Sequence, residues 1–372
     1  MRVLYVFRSL AYWGGIERIL VDKMNYLVTM YGYDVYMLTA DQSSHPVPYR
    51  LEQGVHLEDL GICFHHQYRY GGLRRLWKAW QLKRRYEQRL AQRLQTIRPD
   101  VIVCTMTDHV DLLVRLKDST PLVAESHSIS RYTLNTSGFR EKYKAWLLKR
   151  SLKKVQTIVA LTDRDAEHWC QLYPGKVRVI PNMVHLNPTG NYCDQTNRRV
   201  IFVGRLDYQK QPLVAVSIWQ RLQPLFPDWE LHIYGEGDQQ SQVEAAISQS
   251  GCRIVLHPPT PNIFDCYCES SLLMSTSLYE PFGLVIPEAM SCGLPVVAYD
   301  SPFGPLSIIT DGVDGCLIPL GDEQQFADRM AALLADQPRR LQMGIAAVKS
   351  AQRYSPTQVM PQWKELFSTF VR

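Results

Sequence analysis

Short apolar runs alternate with helical stretches along the chain. In the first half the runs are Val3–Phe7, Val35–Leu38, Val101–Cys104, Leu122–Ala124, Thr157–Leu161 and Val177–Ile180. A Pro-Asn-Met step and a polar stretch, His185–Arg199, rich in Asn, Thr, Gly and Asp, follow and read as an interdomain linker. The pattern then restarts with Val200–Val203, Glu230–Tyr234, Arg253–Leu256, Leu272–Thr276, Pro295–Ala298 and Gly315–Ile318. Continuously apolar strands are covered on both faces, and repeated β–α alternation implies parallel sheets. Two such series predict an α/β protein with two Rossmann-like domains, 1–184 and 185–355, facing across a cleft. An amphipathic helix, 356–372, closes the chain after Pro356.

The length of 372 residues suits two domains, and 46% hydrophobic with 21% charged residues excludes wholesale disorder. No apolar run reaches the ~18 residues of a membrane-spanning helix. The N-terminal MRVLYVF reads as a buried strand rather than a secretion signal. Nine cysteines, an odd number and scattered, fit reduced thiols in a cytosol. Cys266-Tyr267-Cys268 has no partner pair or nearby His, so no zinc site is expected.

Charge is unevenly spread. Residues 69–98 carry ten Lys/Arg against one acid, Glu87, and residues 140–154 carry seven against Glu141. The front half is therefore cationic and the back half mildly acidic, which points to an anionic partner for the first half. Within 73–94, Leu73, Leu76, Trp77, Trp80, Leu90 and Leu94 share much of a helix face, with Arg74, Arg75, Lys78, Arg85, Arg89 and Arg93 around it. Such a helix is either core packing with a solvated basic rim or an interfacial helix on an anionic membrane. Trp146 lies in the second basic cluster. Trp77, Trp80 and Tyr86 sit at helical spacing rather than in a recognisable RNA-binding module, so no nucleic-acid partner is expected.

Ligands of open parallel sheets bind beyond the strands' carboxyl ends, and four strand-end loops carry candidate chemistry. Trp13-Gly14-Gly15-Ile16-Glu17 opens a helix, where paired glycines allow close backbone approach to an anion. Gly204-Arg205-Leu206-Asp207-Tyr208-Gln209-Lys210 offers a guanidinium fork and a mobile ammonium five residues apart, able to grip a diphosphate. In the segment Glu280–Pro295, Pro287 is tolerated only in a first helical turn, so a helix begins near Gly283–Val285. Its amides at Gly283, Leu284 and Val285 form an anion site, beside Phe282. Glu280 and Glu288 flank that site and would repel a phosphate, so they are suited to accept hydrogen bonds from hydroxyls on either side. A nucleotide-sugar has that layout. Finally, His127 follows a first-half strand in Ala124-Glu125-Ser126-His127-Ser128, where it can bind a sugar or move a proton. Asp163-x-Asp165 spells a metal motif but opens a helix, and helix capping explains it better.

These residues resemble the retaining glycosyltransferases of family 4 with the GT-B fold, of the bacterial surface-polysaccharide type. The resemblance rests on G-R-L-D-x-x-K at 204–210, E-P-F-G-L-V-x-P-E-A-M-S-C-G-L-P-V-V at 280–297 and D-G-x-x-G at 311–315. It implies that 1–184 binds the acceptor, that 185–355 binds the nucleotide-sugar donor, and that the last helix crosses back to the first domain. It further implies that Arg205 and Lys210 bind the donor diphosphate, Glu288 the ribose and Glu280 the transferred sugar. Gly14 and Gly15 would lie beneath the phosphate, and His127 would contact the sugar near the reacting carbon. The sequence departs from the family at Gln211, where Gly is usual, and at Ser128, where Asp or Asn is common.

The expected activity is metal-independent transfer of a hexose or N-acetylhexosamine from a nucleoside diphosphate sugar, UDP by default, to a glycan hydroxyl with retention. The expected acceptor is a lipid-linked saccharide in surface polysaccharide synthesis, with the enzyme cytoplasmic and peripheral on the inner membrane face. No cofactor is expected. The alternatives are a GT-B-fold sugar-nucleotide epimerase, which would isomerise the donor without an acceptor, and a non-catalytic binder of anionic surfaces.

Overall fold

The computed structural model describes residues 1–106, 110–128 and 138–370, with the backbone alone for 139 and 140. The chain forms two compact units. One holds Met1–Met183 together with the residues from Met360 onward, and the other holds Val184–Val359.

The first unit is built on a seven-stranded sheet. Its strands are β1 (Arg2–Val6), β2 (Asp34–Thr39), β3 (Val55–Asp59), β4 (Val101–Thr105), β5 (Leu122–Ser126), β6 (Thr157–Ala160) and β7 (Val177–Val179). They lie in the order β3-β2-β1-β4-β5-β6-β7, and every pairing is parallel. Six follow apolar runs in the sequence. The seventh, β3, has no such run because it is an edge strand whose His56 and Leu57 face water.

Helix starts and stops follow local chemistry. The helix Gly15–Tyr31 ends at Gly32, whose φ of +63° lets its amide reach back to the last carbonyls. The helix Asp163–Leu172 is capped by Thr162, whose hydroxyl accepts from the Asp165 amide at 3.2 Å. The capping role expected of Asp163-x-Asp165 thus falls to the preceding threonine. Asp165 itself is buried, and its carboxylate accepts from the Trp169 indole at 3.0 Å and the Ser126 hydroxyl at 3.1 Å.

The basic stretch forms one long helix, Gly72–Ile97, and its apolar stripe divides in two. Leu82, Tyr86, Leu90 and Leu94 enter the core against the sheet. Leu73, Leu76, Trp77 and Trp80 stay outside it and are exposed. The single shared face expected for all six named positions is therefore core at Leu90 and Leu94 and surface at the other four. Arg93 pairs with Glu58 at 2.5 Å and Arg89 donates to the Leu60 carbonyl, so the last turns are tied inward.

The second unit carries a six-stranded sheet. Its strands are β8 (Arg199–Val203), β9 (Glu230–Tyr234), β10 (Ile254–His257), β11 (Leu272–Ser275), β12 (Val296–Tyr299) and β13 (Gly315–Ile318). The order is β10-β9-β8-β11-β12-β13, again all parallel. Trp219, Phe326, Met330 and Tyr299 fill its core. The polar stretch 185–199 is not a free linker. The amides of Cys193 and the Gln195 side chain donate to Cys292 and Gly293 carbonyls, each at 2.9 Å, and seat it on this unit.

The closing helix, Pro356–Ser368, leaves the second unit and ends in the first. There Trp363 and Phe367 are buried, and the Trp363 ring lies 4.3 Å from the Lys23 ammonium. Among the described residues no helix is long and apolar enough to cross a membrane.

The tail residues thus belong to the first unit's core. Trp363→Ala is expected to destabilise that unit by about 3–5 kcal/mol, the usual loss for a buried large aromatic. Urea unfolding followed by circular dichroism measures it, and an unshifted midpoint contradicts the packing.

Candidate functional site

In the second unit, loops that follow β8, β9 and β11 converge at the sheet's carboxyl edge. Two glycines permit this. A β-carbon on Gly235 would stand 1.9 Å from the Gly204 carbonyl oxygen, and one on Gly237 would stand 2.5 Å from that of Leu206. Only bare backbone fits, and the loops join through Gly204 N–H to Tyr234 O at 3.1 Å and Leu206 N–H to Glu236 O at 2.8 Å.

The loop 204–211 is also sewn to the loop after β11. Leu278 N–H donates to Gln209 O at 2.8 Å, and the Gln209 amide donates to Tyr279 O at 3.0 Å. The Thr276 hydroxyl reaches the Lys210 and Gln211 carbonyls at 2.9 and 3.0 Å. Asp207 closes the turn by accepting from the Lys210 amide at 3.0 Å. Gln211 takes the left-handed conformation, φ +51°, at the place where glycine is usual in the resembled family.

The join brings Lys210 and Glu280 together. Their side chains, 15% and 6% exposed, form an ion pair, and Ser277 donates a hydroxyl to the same carboxylate oxygen at 2.8 Å. Lys210 is therefore a nearly buried residue rather than a mobile surface cation. Arg205 is the opposite case. It is 68% exposed and rests on Asp207 at 3.0 Å and Gln209 at 3.0 Å, so its guanidinium is tethered at the loop's outer side.

Beyond Glu280 the chain enters the helix Val285–Ser291, with Pro287 in its first turn, as the sequence requires. Gly283 takes φ +88° just ahead of it. Among the described residues the N–H groups of Gly283, Leu284 and Val285 reach no protein acceptor, so they remain donors for a ligand. Phe282 is buried edge-on against Tyr354, with centroids 5.2 Å apart, so its side chain packs and only its backbone adjoins the loop. Glu288 is buried one turn on and accepts from the Tyr267 hydroxyl at 3.3 Å. A backbone bridge links Glu280 to Phe303, and Gly304 donates to Glu280 O at 2.9 Å, because a β-carbon there would strike Phe282 O at 2.1 Å.

In the first unit, Gly14 caps the helix that Gly15 begins. The Glu17 carboxylate lies over Gly14, where a β-carbon would meet it at 2.0 Å. This helix end is therefore covered by its own acid. Exposed Trp13 packs edge-on against Tyr49 with centroids 5.2 Å apart. His127 follows β5 and its Nε2 lies 2.7 Å from Glu125 Oε2. Glu125 and Lys23 are both buried, and Lys23 Nζ is 2.5 Å from each Glu125 oxygen. Burial pushes the Glu125 carboxyl up, but Lys23 and His127 outweigh it and hold it at about 2.

The sequence did not single out Lys23, Asp207, Gln209, Thr276, Ser277 or Tyr267. The Thr276-Ser277 hydroxyls four and three residues before an acid were a readable signal; a lysine inside a helix 102 residues from its partner was not. Among the described residues no group of three or more His, Cys, Asp or Glu is arranged to hold a metal ion.

The two cations of the 204–211 loop should differ in stability. Removing Lys210 strands a nearly buried carboxylate, and Lys210→Ala is expected to cost about 3 kcal/mol. Arg205→Ala, at an exposed pair, is expected to cost about 0–1 kcal/mol. Urea titration of both variants checks this, and equal losses would refute the buried pair.

Residues 13–187 match the family described as Glycosyltransferase Family 4, and residues 191–350 match that described as Glycosyl transferases group 1. An exopolysaccharide phosphotransferase of Streptomyces coelicolor is 28% identical over 75% of this chain and 29% of its own length. The amylovoran biosynthesis glycosyltransferase AmsD of Erwinia amylovora is 27% identical over 57% of this chain and 62% of its own. The chain thus spans less than two thirds of these relatives. A crystal structure of S. aureus TarM, in complex with UDP and alpha-GlcNAc-glycerol among its ligands, superposes with a TM-score of 0.79 at 14% identity, covering 98% of this chain and 99% of that one. Tandem family matches over both units, on two parallel Rossmann-like sheets, place this chain among the GT-B glycosyltransferases of family 4 type.

Proposed function

We propose that this chain transfers a hexose or N-acetylhexosamine from a nucleoside diphosphate sugar to a glycan hydroxyl with retention of configuration and without a metal ion. The observation that carries the reading is the join between the loops 204–211 and 276–285. It gathers two cations, a run of open amides and two buried acids at one sheet edge. UDP is the nucleotide of choice, and the similar fold of TarM, crystallised with UDP, supports it.

In this reading the diphosphate lies on the Gly283–Val285 amides and between Arg205 and Lys210. Charge grows on that leaving group as the glycosidic bond breaks, and donors fixed before reaction stabilise it without reorganising. Gly204 lets the backbone approach closely. Glu288 accepts from ribose hydroxyls, and Glu280 from the transferred sugar. Gly14 and Gly15 adjoin the phosphate once Glu17 yields its place, and His127 contacts the sugar near the reacting carbon. The first unit binds the acceptor.

Calorimetry with UDP separates the acids. Glu288→Ala is expected to weaken UDP by about 10-fold or more, a lost charge-assisted hydrogen bond. Glu280→Ala is expected to spare UDP but impair turnover of a UDP-sugar. Equal losses of UDP affinity would overturn the division, and a wild-type chain that neither binds nor hydrolyses any nucleoside diphosphate sugar would overturn the function.

We further propose a lipid-linked acceptor for a surface polysaccharide, approached from an anionic inner leaflet of the cytoplasmic membrane. Support comes from the first turns of the helix Gly72–Ile97. Leu73, Trp77 and Trp80 are 83%, 61% and 53% exposed, amid exposed Arg74, Arg75, Lys83, Arg84 and Arg85. Trp146 and Tyr143 stack, also exposed, on the helix Phe139–Leu152, with Arg150 over the Trp146 ring. Both helices pack against the helix Val110–Leu116. Apolar rings among cations suit a headgroup region, where each Lys or Arg adds about 1 kcal/mol.

Sedimentation with liposomes tests this. Binding is expected to anionic vesicles, to fall with salt, and to be weak for neutral ones. Replacing Arg74, Arg75, Lys83, Arg84 and Arg85 by Gln is expected to release the protein and leave donor hydrolysis intact. Equal binding to neutral and anionic vesicles at low salt would point to a soluble acceptor.

A further inference from the structure

The first unit buries an ion pair that the reading above does not use. Lys23, from the helix Gly15–Tyr31, and Glu125, the penultimate residue of β5, are 102 residues apart and almost wholly enclosed. Lys23 Nζ meets both carboxylate oxygens at 2.5 Å, with the Trp363 ring 4.3 Å and the Tyr5 ring 5.7 Å away. Such a pair is a poor source of stability, because desolvating two charges offsets their attraction, and apolar residues of similar volume pack as well. Its placement is more informative. Of the two Glu125 oxygens, Oε2 is shared between Lys23 and the His127 ring, at 2.7 Å from Nε2.

We propose that Lys23 and Glu125 are positioning residues for His127. Lys23 keeps the carboxylate ionised, the carboxylate accepts a hydrogen bond from the Nε2–H of the ring, and Nδ1 is thereby left as the acceptor for a hydroxyl of the bound sugar. In a neutral imidazole one nitrogen donates and the other accepts, so fixing one fixes the other. The 2.7 Å contact at Nε2 sets which nitrogen faces the carboxylate. Among the described residues, the charged or titratable groups facing the carboxylate are Lys23, His127 and Tyr5; burial and the Glu125 charge raise the Tyr5 hydroxyl pKa well above its ordinary value, so it stays neutral. The proposal rests on His127 contacting the sugar, and it adds the mechanism that orients it.

The test uses the full chain labelled with ¹⁵N-histidine. Nitrogen shifts of His127, assigned with His127→Gln, are expected to show the Nε2–H tautomer in the wild type. They are expected to show a mixture in Glu125→Gln, where the amide can accept or donate. A wild type with the proton on Nδ1, or an unchanged tautomer in Glu125→Gln, overturns the proposal. In kinetics, Glu125→Gln is expected to lower kcat for a UDP-sugar by about 10–100-fold, the usual effect of losing an orienting partner, with KM and UDP affinity held within about twofold. Lys23→Met combined with Glu125→Gln removes both charges together, so it keeps the core neutral if the single variant does not fold; it should show the same kcat loss. Wild-type kcat in a folded variant overturns the proposal. Absence of UDP binding in the wild type would instead remove the donor reading, and the tautomer measurement would still decide the positioning.

Discussion

All thirteen described strands run parallel within their sheets, and that constraint sets almost everything else. A parallel strand cannot return through a tight turn. Its chain must cross back over the sheet, so every strand of a unit ends at the same edge. Backbone groups there have lost their ladder partners, and side chains beside them are only half enclosed. The loops 204–211, 235–239 and 276–285 meet at such an edge in the second unit, as do His127 and the Gly14 turn at the edge of the first. The buried interior of each sheet is mostly apolar and offers little chemistry. The edges hold it by elimination.

Each unit stiffens its edge in the same way, with a lysine and a glutamate enclosed together. Lys210 and Glu280 tie two consecutive strand-end loops, and Lys23 and Glu125 tie a helix to a strand end. Neither pair is suited to adding net stability, since both charges forgo water. What the pairs do is fix direction. A carboxylate bound by an ammonium has one remaining orientation for its free lone pairs, which face Ser277 in one unit and His127 in the other. Arg205, by contrast, is exposed and rests on Asp207 and Gln209 at the loop's outer side.

The helix Gly72–Ile97 shows how one segment can serve two solvents. Its last four turns are clamped to the sheet by Leu82, Tyr86, Leu90 and Leu94, and its first turns project Trp77 and Trp80 into water. Isolated apolar residues on a surface need no explanation, but two tryptophans and two leucines adjacent on one exposed face do. The clamped end provides the leverage that keeps the exposed end helical.

The sequence by itself determined the architecture. Twelve of the thirteen described strands coincide with mostly apolar runs, because a strand covered on both faces tolerates few polar side chains. The edge strand β3 was invisible for the converse reason. Pro287 located the short helix because proline is allowed only in a first turn, and the glycine and acid spacing around it located the candidate site. Tertiary structure decided what those residues touch. It moved Lys210 from the surface to a buried pair, took Phe282 into the core, gave Asp165 to Trp169, and split the basic helix between core and water. It also brought Lys23 to Glu125 across 102 residues and set the Trp363 ring against the Lys23 ammonium. Such contacts depend on how helices lie across a sheet, and no local pattern in the chain encodes that distance.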